Sequence, residues 1–173
     1  MVRGTGIAFA ATMAMAPALG GAQEAADQSA APAPPPPKWM VSCSNQLDFD
    51  KLRCEISQSI VVSTQAGQSQ RVAVASFIRA VGQTETEARL LLPYDVSLRD
   101  AVTVSVDEAA LGTLAWLSCD AAGCYAGGPV PDTWVEALRA GSKLAAALTT
   151  RDGRDVTFTF TLEDFSRISD LMP

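Results

Sequence analysis

Apolar and polar residues alternate one by one over much of this chain. Val156, Phe158, Phe160 and Leu162 interleave with Asp155, Thr157, Thr159 and Thr161, so one face of the stretch is apolar and the other polar. A period of two is the mark of a half-buried strand. Leu52, Cys54, Ile56, Ile60 and Val62 alternate in the same way with Arg53, Glu55, Ser57, Ser59 and Val61, and Val102, Val104 and Val106 with Thr103, Ser105 and Asp107. Residues 39–44, 71–80, 88–92, 113–119 and 143–149 complete a set of eight predicted strands. Ala66-Gly67, Gly82-Gln83 and Asp152-Gly153 supply turn chemistry between them, the last suited to a tight hairpin that needs φ > 0. This spacing predicts an all-β fold, an antiparallel β-sandwich or a barrel-like sheet.

Two short helices interrupt the strands. Thr133 and Glu136 stand at capping-box spacing, Trp134, Val135 and Leu138 share one face, and Gly141 suits a left-handed stop. Near the end, Phe165, Ile168 and Leu171 repeat every three residues behind Asp164, a candidate N-cap. Gly127-Gly128-Pro129 reads as a turn. Trp39, Trp116, Phe158 and Phe160 are expected to share one core, because aromatic burial dominates the energetics of small domains.

Composition narrows the function more than the fold. The chain has 173 residues, 48% of them apolar and 18% charged, which fits one folded domain plus a tail. Its net charge is −6, with no cluster of Lys and Arg to neutralise a phosphate backbone, so nucleic acid is excluded as a partner. It contains no histidine, which removes the commonest general base and the commonest metal ligand.

The first segment carries an address. Arg3 precedes an apolar run from Ile7 to Ala16, Pro17 breaks it, and Gly20 and Ala22 form a small-x-small site. That order describes a secretory signal over residues 1–22, with no cysteine near the cut for lipid attachment. An uncleaved anchor is the alternative, but the run is rich in alanine and shorter than the ~20 strongly apolar residues a span needs. After cleavage no stable membrane span is expected. Residues 23–38 hold Pro32 and Pro34 to Pro37, a semi-rigid polyproline spacer rather than a docking ligand, since no basic residue frames a PxxP motif. The β domain is then 39–173.

Cys43, Cys54, Cys119 and Cys124 all follow the signal, in a chain bound for an oxidising space. Four cysteines allow three connectivities. Local pairing of Cys43 with Cys54 and Cys119 with Cys124 is preferred, while cross-pairing across sheets stays open. Zinc fits poorly, because C-x10-C and C-x4-C lack paired short knuckles, and a redox pair is usually C-x-x-C. No metal and no cofactor are expected.

Catalytic chemistry is sparse. Lys38, Lys51 and Lys143 are the only lysines and none lies in an S-x-x-K motif. Asp48/Asp50, Asp107/Glu108 and Glu163/Asp164 are candidate carboxylate pairs, read first as turn and capping residues. No residue is assigned a catalytic role.

The order of motifs resembles a known family. Trp39-Met40-Val41-Ser42-Cys43, Cys54-Glu55-Ile56-Ser57-Gln58, Leu92-Pro93-Tyr94-Asp95-Val96-Ser97-Leu98 and Val104-Ser105-Val106-Asp107 are followed by Cys119-Asp120-Ala121-Ala122-Gly123-Cys124-Tyr125-Ala126 and by Phe160-Thr161-Leu162 with Phe165. This set is similar to the invasion-associated locus B family. Asp95, Ala101 and Asp164 stand where that family tends to carry glycine. The resemblance implies a small exported bacterial protein, periplasmic or secreted, and transfers no catalytic residue. The expected function is a disulfide-stapled, non-enzymatic envelope domain that binds an envelope or host protein through a sheet edge or an exposed loop. A carrier of a small apolar ligand is the alternative, and a carboxylate-dependent hydrolase a further one.

Overall fold

The computed structural model describes residues 38–45, 52–63 and 67–173. The export signal, the linker as far as Pro37, Asp48, Asp50, Lys51 and Ala66 lie outside them. Nine strands form: β1 (Met40–Ser44), β2 (Arg53–Ser63), β3 (Ser69–Ala80), β4 (Thr86–Leu92), β5 (Val102–Val106), β6 (Ala109–Asp120), β7 (Gly123–Val130), β8 (Lys143–Thr149) and β9 (Asp155–Thr161). Helix α1 (Asp132–Ala140) lies between β7 and β8, and α2 (Phe165–Ser169) follows β9. The strands make one sheet in the order β1-β2-β3-β4-β7-β6-β5-β8-β9. Every neighbouring pair is antiparallel. Strand β6 is the corner of the sheet. Its first half, to Leu114, pairs with β5, and its second half, from Ala115, pairs with β7. The sheet curls into a half-barrel, so of the two expected architectures the barrel-like one is found.

Period-two alternation puts one face of each strand inside the curl. Ile56, Ala75, Phe77, Leu90, Leu92, Val102, Val104, Leu144, Ala146 and Phe160 are buried there, and the helices add Trp134, Leu138, Phe165 and Ile168. Trp39 is fully buried at the centre. Its ring meets Phe165 edge-on at 4.9 Å and Phe77 at 6.1 Å. Its Nε1–H donates to the Thr161 carbonyl at 2.8 Å, and the buried Gln58 amide donates to the same oxygen at 3.1 Å. Those two bonds latch the end of β9 to the first strands, and they satisfy polar groups that would otherwise be buried at a cost. Phe160, next to the latch, is fully buried. Trp116 on β6 and Phe158 on β9 pack against the core but are only partly buried, Phe158 because β9 is an edge strand whose start lies away from the latch.

Three local expectations need correction. Residues 123–130 form β7, a ninth strand, and the turn expected at Gly127-Gly128-Pro129 lies inside it. Glycine is required at 127 by packing: a Cβ there would stand 2.6 Å from the Ala88 carbonyl oxygen of β4. Helix α1 starts after Pro131 with no side-chain cap, so Thr133 and Glu136 form no capping box. Proline suits that site because the first helical N–H groups have no intrahelical acceptor.

Gly141 is extended, with φ −88° and ψ 175°, not left-handed. It is small because a Cβ would sit 2.2 Å from Val106 Cγ1. Gly141→Ala should therefore destabilise by about 1–3 kcal/mol through overpacking, read as a lower denaturant midpoint at unchanged slope. An unchanged midpoint would show that β5 yields freely at Val106.

Asp95 and Asp164 adopt φ of 72° and 67°, which explains why glycine suits those sites. Asp95 belongs to the crossover from β4 to β5, which packs against the end of β8. Ser97 N–H donates to the Thr149 carbonyl at 2.8 Å, and the Trp116 indole donates to the Asp100 carbonyl at 2.9 Å.

Candidate binding surfaces

Each cysteine sits opposite its partner in an antiparallel register, Cys43 against Cys54 and Cys119 against Cys124, and both pairs are bridged. Cys54 shares a row with Arg79 and Thr86, whereas Cys124 lies beside Leu92. Six residue steps along β4, from Thr86 to Leu92, separate the rows, so the bridges are offset by ~20 Å along the strand direction, toward opposite ends of the strands. Among the described residues, no three Cys, Asp or Glu side chains group closely enough to hold a metal ion. No helix among them is long and apolar enough to cross a membrane.

The described carboxylates do structural work. Asp107 and Glu108 form the β5–β6 turn with φ of 46° and 73°. Both oxygens of Asp107 are engaged, accepting from the Ser142 and Lys143 N–H groups at 2.8 and 2.9 Å. Asp164 precedes α2 and pairs with Arg167 at 3.2 Å, and Glu163 is exposed. A groove of about 490 Å³ runs beside Asp107, lined by Ser105, Glu108, Ser142, Lys143, Ala145 and Thr159. Short side chains on most of its walls offer a ligand little to grip.

Inside the curl, the aromatic side chains and the helices pack together around a small gap among the described residues. The gap between Phe77, Arg79, Thr86, Arg139 and Phe165 is about 30 Å³. Small-molecule sites are ~300–1,000 Å³, and this one has room for little more than water.

The convex face is better equipped for recognition. Glu87 on β4 is held between Arg53 at 3.0 Å and Arg89 at 2.7 Å. Arg89 also lines a shallow groove of about 220 Å³ with Leu117, Ser118 and Tyr125. Leu117 is there because of a register slip. Trp116 pairs with Ala126 and Ser118 with Tyr125, so Leu117 is an extra residue in β6 and its side chain stands exposed on the outside. Such bulges re-aim side chains at functional positions. Burial raises the Tyr125 hydroxyl above its ordinary pKa of 10.0, helped by the negative charge of Asp120 and a hydrogen bond to its side chain. The stapled β6–β7 hairpin borders this groove, and Tyr94 donates from its hydroxyl to the Asp120 carbonyl at the hairpin tip. The sequence marks Tyr125 only as part of the second cysteine motif, and Arg89 and Leu117 only as members of predicted strands. The available signal is the apolar run Ala115-Trp116-Leu117, which departs from alternation.

The hairpin between β8 and β9 contains a pH-sensitive contact. Thr150 and Arg154 both hydrogen-bond to Asp152, which holds its carboxyl below the usual 3.8. A depressed folded pKa contributes stability above the unfolded value, and that contribution is lost as pH falls through the folded one. The Asp152 carboxyl should titrate below 3.8 by NMR, and Thr150→Val should raise its midpoint. An unmoved midpoint would assign the shift to Arg154 alone.

These features define a class: a curled antiparallel β domain with two short helices packed against its core and a disulfide toward each end. Residues 39–172 match the model of the invasion associated locus B (IalB) protein family, and the chain belongs to that family. An invasion protein B homolog of Brucella abortus (strain 2308) is 29% identical over 133 residues, covering 76% of this chain and 73% of that protein. The homolog from Brucella abortus biovar 1 (strain 9-941) matches to the same extent. The crystal structure of invasion associated protein B from Bartonella henselae has the same fold, with a TM-score of 0.64 at 22% identity over 78% of this chain and 90% of that one. The residues that carry the resemblance are architectural: Trp39 fills the core, the four cysteines staple hairpins, and residues 92–98 lead into the crossover.

Proposed function

We propose that this protein is an exported, non-enzymatic binding domain that engages a protein or envelope component through the convex groove of Arg89, Leu117 and Tyr125. On this reading residues 1–22 direct export and are removed, residues 23–38 space the domain from its new N-terminus, and the domain works in the periplasm or outside the cell. The observation that supports it is the bulge that turns Leu117 outward beside an aromatic hydroxyl and an arginine. Exposed apolar, aromatic and Arg side chains brought together in this way are the composition of interface centres. The invasion-related names of the homologues support a partner on an envelope or host surface. The family membership, the two bridges and the basic, apolar, small-x-small start support export.

Capture from native envelope with the purified, oxidised protein tests the reading. Leu117→Glu lies on an exposed side chain and should leave the fold intact while weakening capture about 30-fold or more, as expected of an interface hot spot. Equal capture by wild type and Leu117→Glu would refute the groove as the binding site. N-terminal sequencing of the native protein should begin near Gln23.

A further inference from the structure

The edge of the sheet at β9 is open over part of its length. Leu162 N–H donates to the Ser142 carbonyl and Thr150 N–H to the Arg154 carbonyl, both at 2.8 Å. These bonds fix the alternation of the β8–β9 ladder. Val156, Phe158 and Phe160 exchange bonds with Leu148, Ala146 and Leu144, while Asp155, Thr157, Thr159 and Thr161 turn their N–H and C=O groups away from β8. The Thr161 carbonyl is taken by the Trp39–Gln58 latch. Among the described residues, the backbone groups of Asp155, Thr157 and Thr159 have no partner.

Natural edges are blunted by lysine, proline, bulges or a covering element. Strand β9 has no lysine or proline, and its register runs unbroken from Asp155 to Thr161. On its concave side Val156 and Phe158 are only half-buried, whereas Phe160 beside the latch is fully buried. Among the described residues the edge is thus open, apolar on one side and five residues long. By contrast β1, at the other edge, is exposed along its whole length, Met40 and Val41 included.

We propose that this open stretch pairs antiparallel with the same stretch of a second copy, about a twofold axis at Thr157. The stretch is complementary to itself in that register. The outward-facing backbone of Thr157 meets the partner's Thr157, and Asp155 meets the partner's Thr159. On the concave side Val156 faces the partner's Phe158, and Phe158 the partner's Val156, an aromatic–β-branched pair of the kind that stabilises sheets. Asp155 is the only charge in the stretch and faces a threonine, so no like charges oppose one another. A strand extended toward Thr161 would run into the latch, which confines the pairing to the five residues that match themselves. The two convex grooves would be carried by one dimer, so the proposal adds to the binding reading and does not depend on it.

Sedimentation equilibrium of the mature, oxidised protein at micromolar to millimolar concentrations tests this, with two variants. Thr157→Pro removes an N–H that points to the free edge, so the β8–β9 ladder keeps its bonds. Thr157→Lys places a charge on the twofold axis and leaves the backbone unaltered. Wild type should dimerise, both variants should raise the dissociation constant at least 100-fold, and the amides of Thr157 and Thr159 should gain hydrogen-exchange protection with concentration. If Thr157→Pro unfolds, Thr157→Lys decides. A monomeric wild type across the range, or a dimer unaffected by Thr157→Lys, would overturn the proposal. So would a monomer whose β9 edge instead captures an extended peptide from another protein. Capture through Leu117 is scored separately and survives any of these results.

Discussion

Trp39→Ala should lower the unfolding free energy by about 4–5 kcal/mol, the largest single-site loss expected in the domain. Three losses coincide at this side chain. The indole is fully buried, so its removal forfeits transfer energy and leaves a cavity beneath Phe77 and Phe165. Its Nε1–H is also one of two donors on the Thr161 carbonyl, so the substitution weakens the latch that draws β9 toward β2. Trp39→Phe separates the effects. It keeps a ring but removes the donor, and Gln58 still serves Thr161, so the added loss from the bond should be only about 1 kcal/mol. A reversible denaturant titration gives both numbers. Equal losses for the two variants would place the whole effect in the hydrogen bond and none in the ring.

Removing the bridges should give the next largest loss, and the two should not be equal. In the loop-entropy model, closing the 11-residue separation of Cys43 and Cys54 contributes about 2.8 kcal/mol, and the 5-residue separation of Cys119 and Cys124 about 2.1 kcal/mol. The paired substitution Cys43→Ala/Cys54→Ala should therefore destabilise more than Cys119→Ala/Cys124→Ala, measured in the same titration with the remaining bridge intact. The reverse ranking would show that contacts around the β6–β7 hairpin, and not the freedom of the unfolded chain, set the contribution. Phe158→Ala serves as the comparison. Its side chain is half-exposed, so it should cost less than Phe160→Ala, although alternation alone gives the two residues the same status.

Most of the eight strands are legible because they must bury one face, and alternation records that demand directly, whereas β1 is exposed along its length. Strand β7 is not legible, because its buried side chains, Cys124, Ala126 and Val130, are interleaved with glycines and a proline that read as a turn. Gly123-Cys124-Tyr125-Ala126-Gly127-Gly128-Pro129-Val130 contains the residues of a turn, yet Gly127 is glycine because β4 presses on it. The same holds at Gly141, where the small residue answers to Val106 and not to a left-handed bend. The candidate surfaces were less legible still. Leu117 points outward because of a bulge, and a bulge is a relation between two strands. Strand β9 is an edge because β8 pairs with β5 on its other side, which follows from the order of the whole sheet. Asp107 can be read as a turn residue from its neighbours, but the two hydrogen bonds its carboxylate accepts from the Ser142 and Lys143 N–H groups belong to the tertiary fold.

Each bridge joins a cysteine to the next one along the chain, and this has a kinetic consequence for a protein oxidised as it emerges N-terminus first. The first thiol meets its native partner 11 residues later, before the other two have appeared, and those two are then left only with each other. Vectorial oxidation thus arrives at the native connectivity without reshuffling. The crossovers that place β5 between β6 and β8 are the slow, non-local part of folding, since distant segments must close long loops before they can pair. Those strands can be sorted while both hairpins are already covalently closed. Refolding from the fully reduced, denatured state exposes all four thiols at once and should populate scrambled pairs that synthesis in order avoids. Co-emergent oxidation and bulk refolding are therefore expected to differ in yield while ending in the same structure.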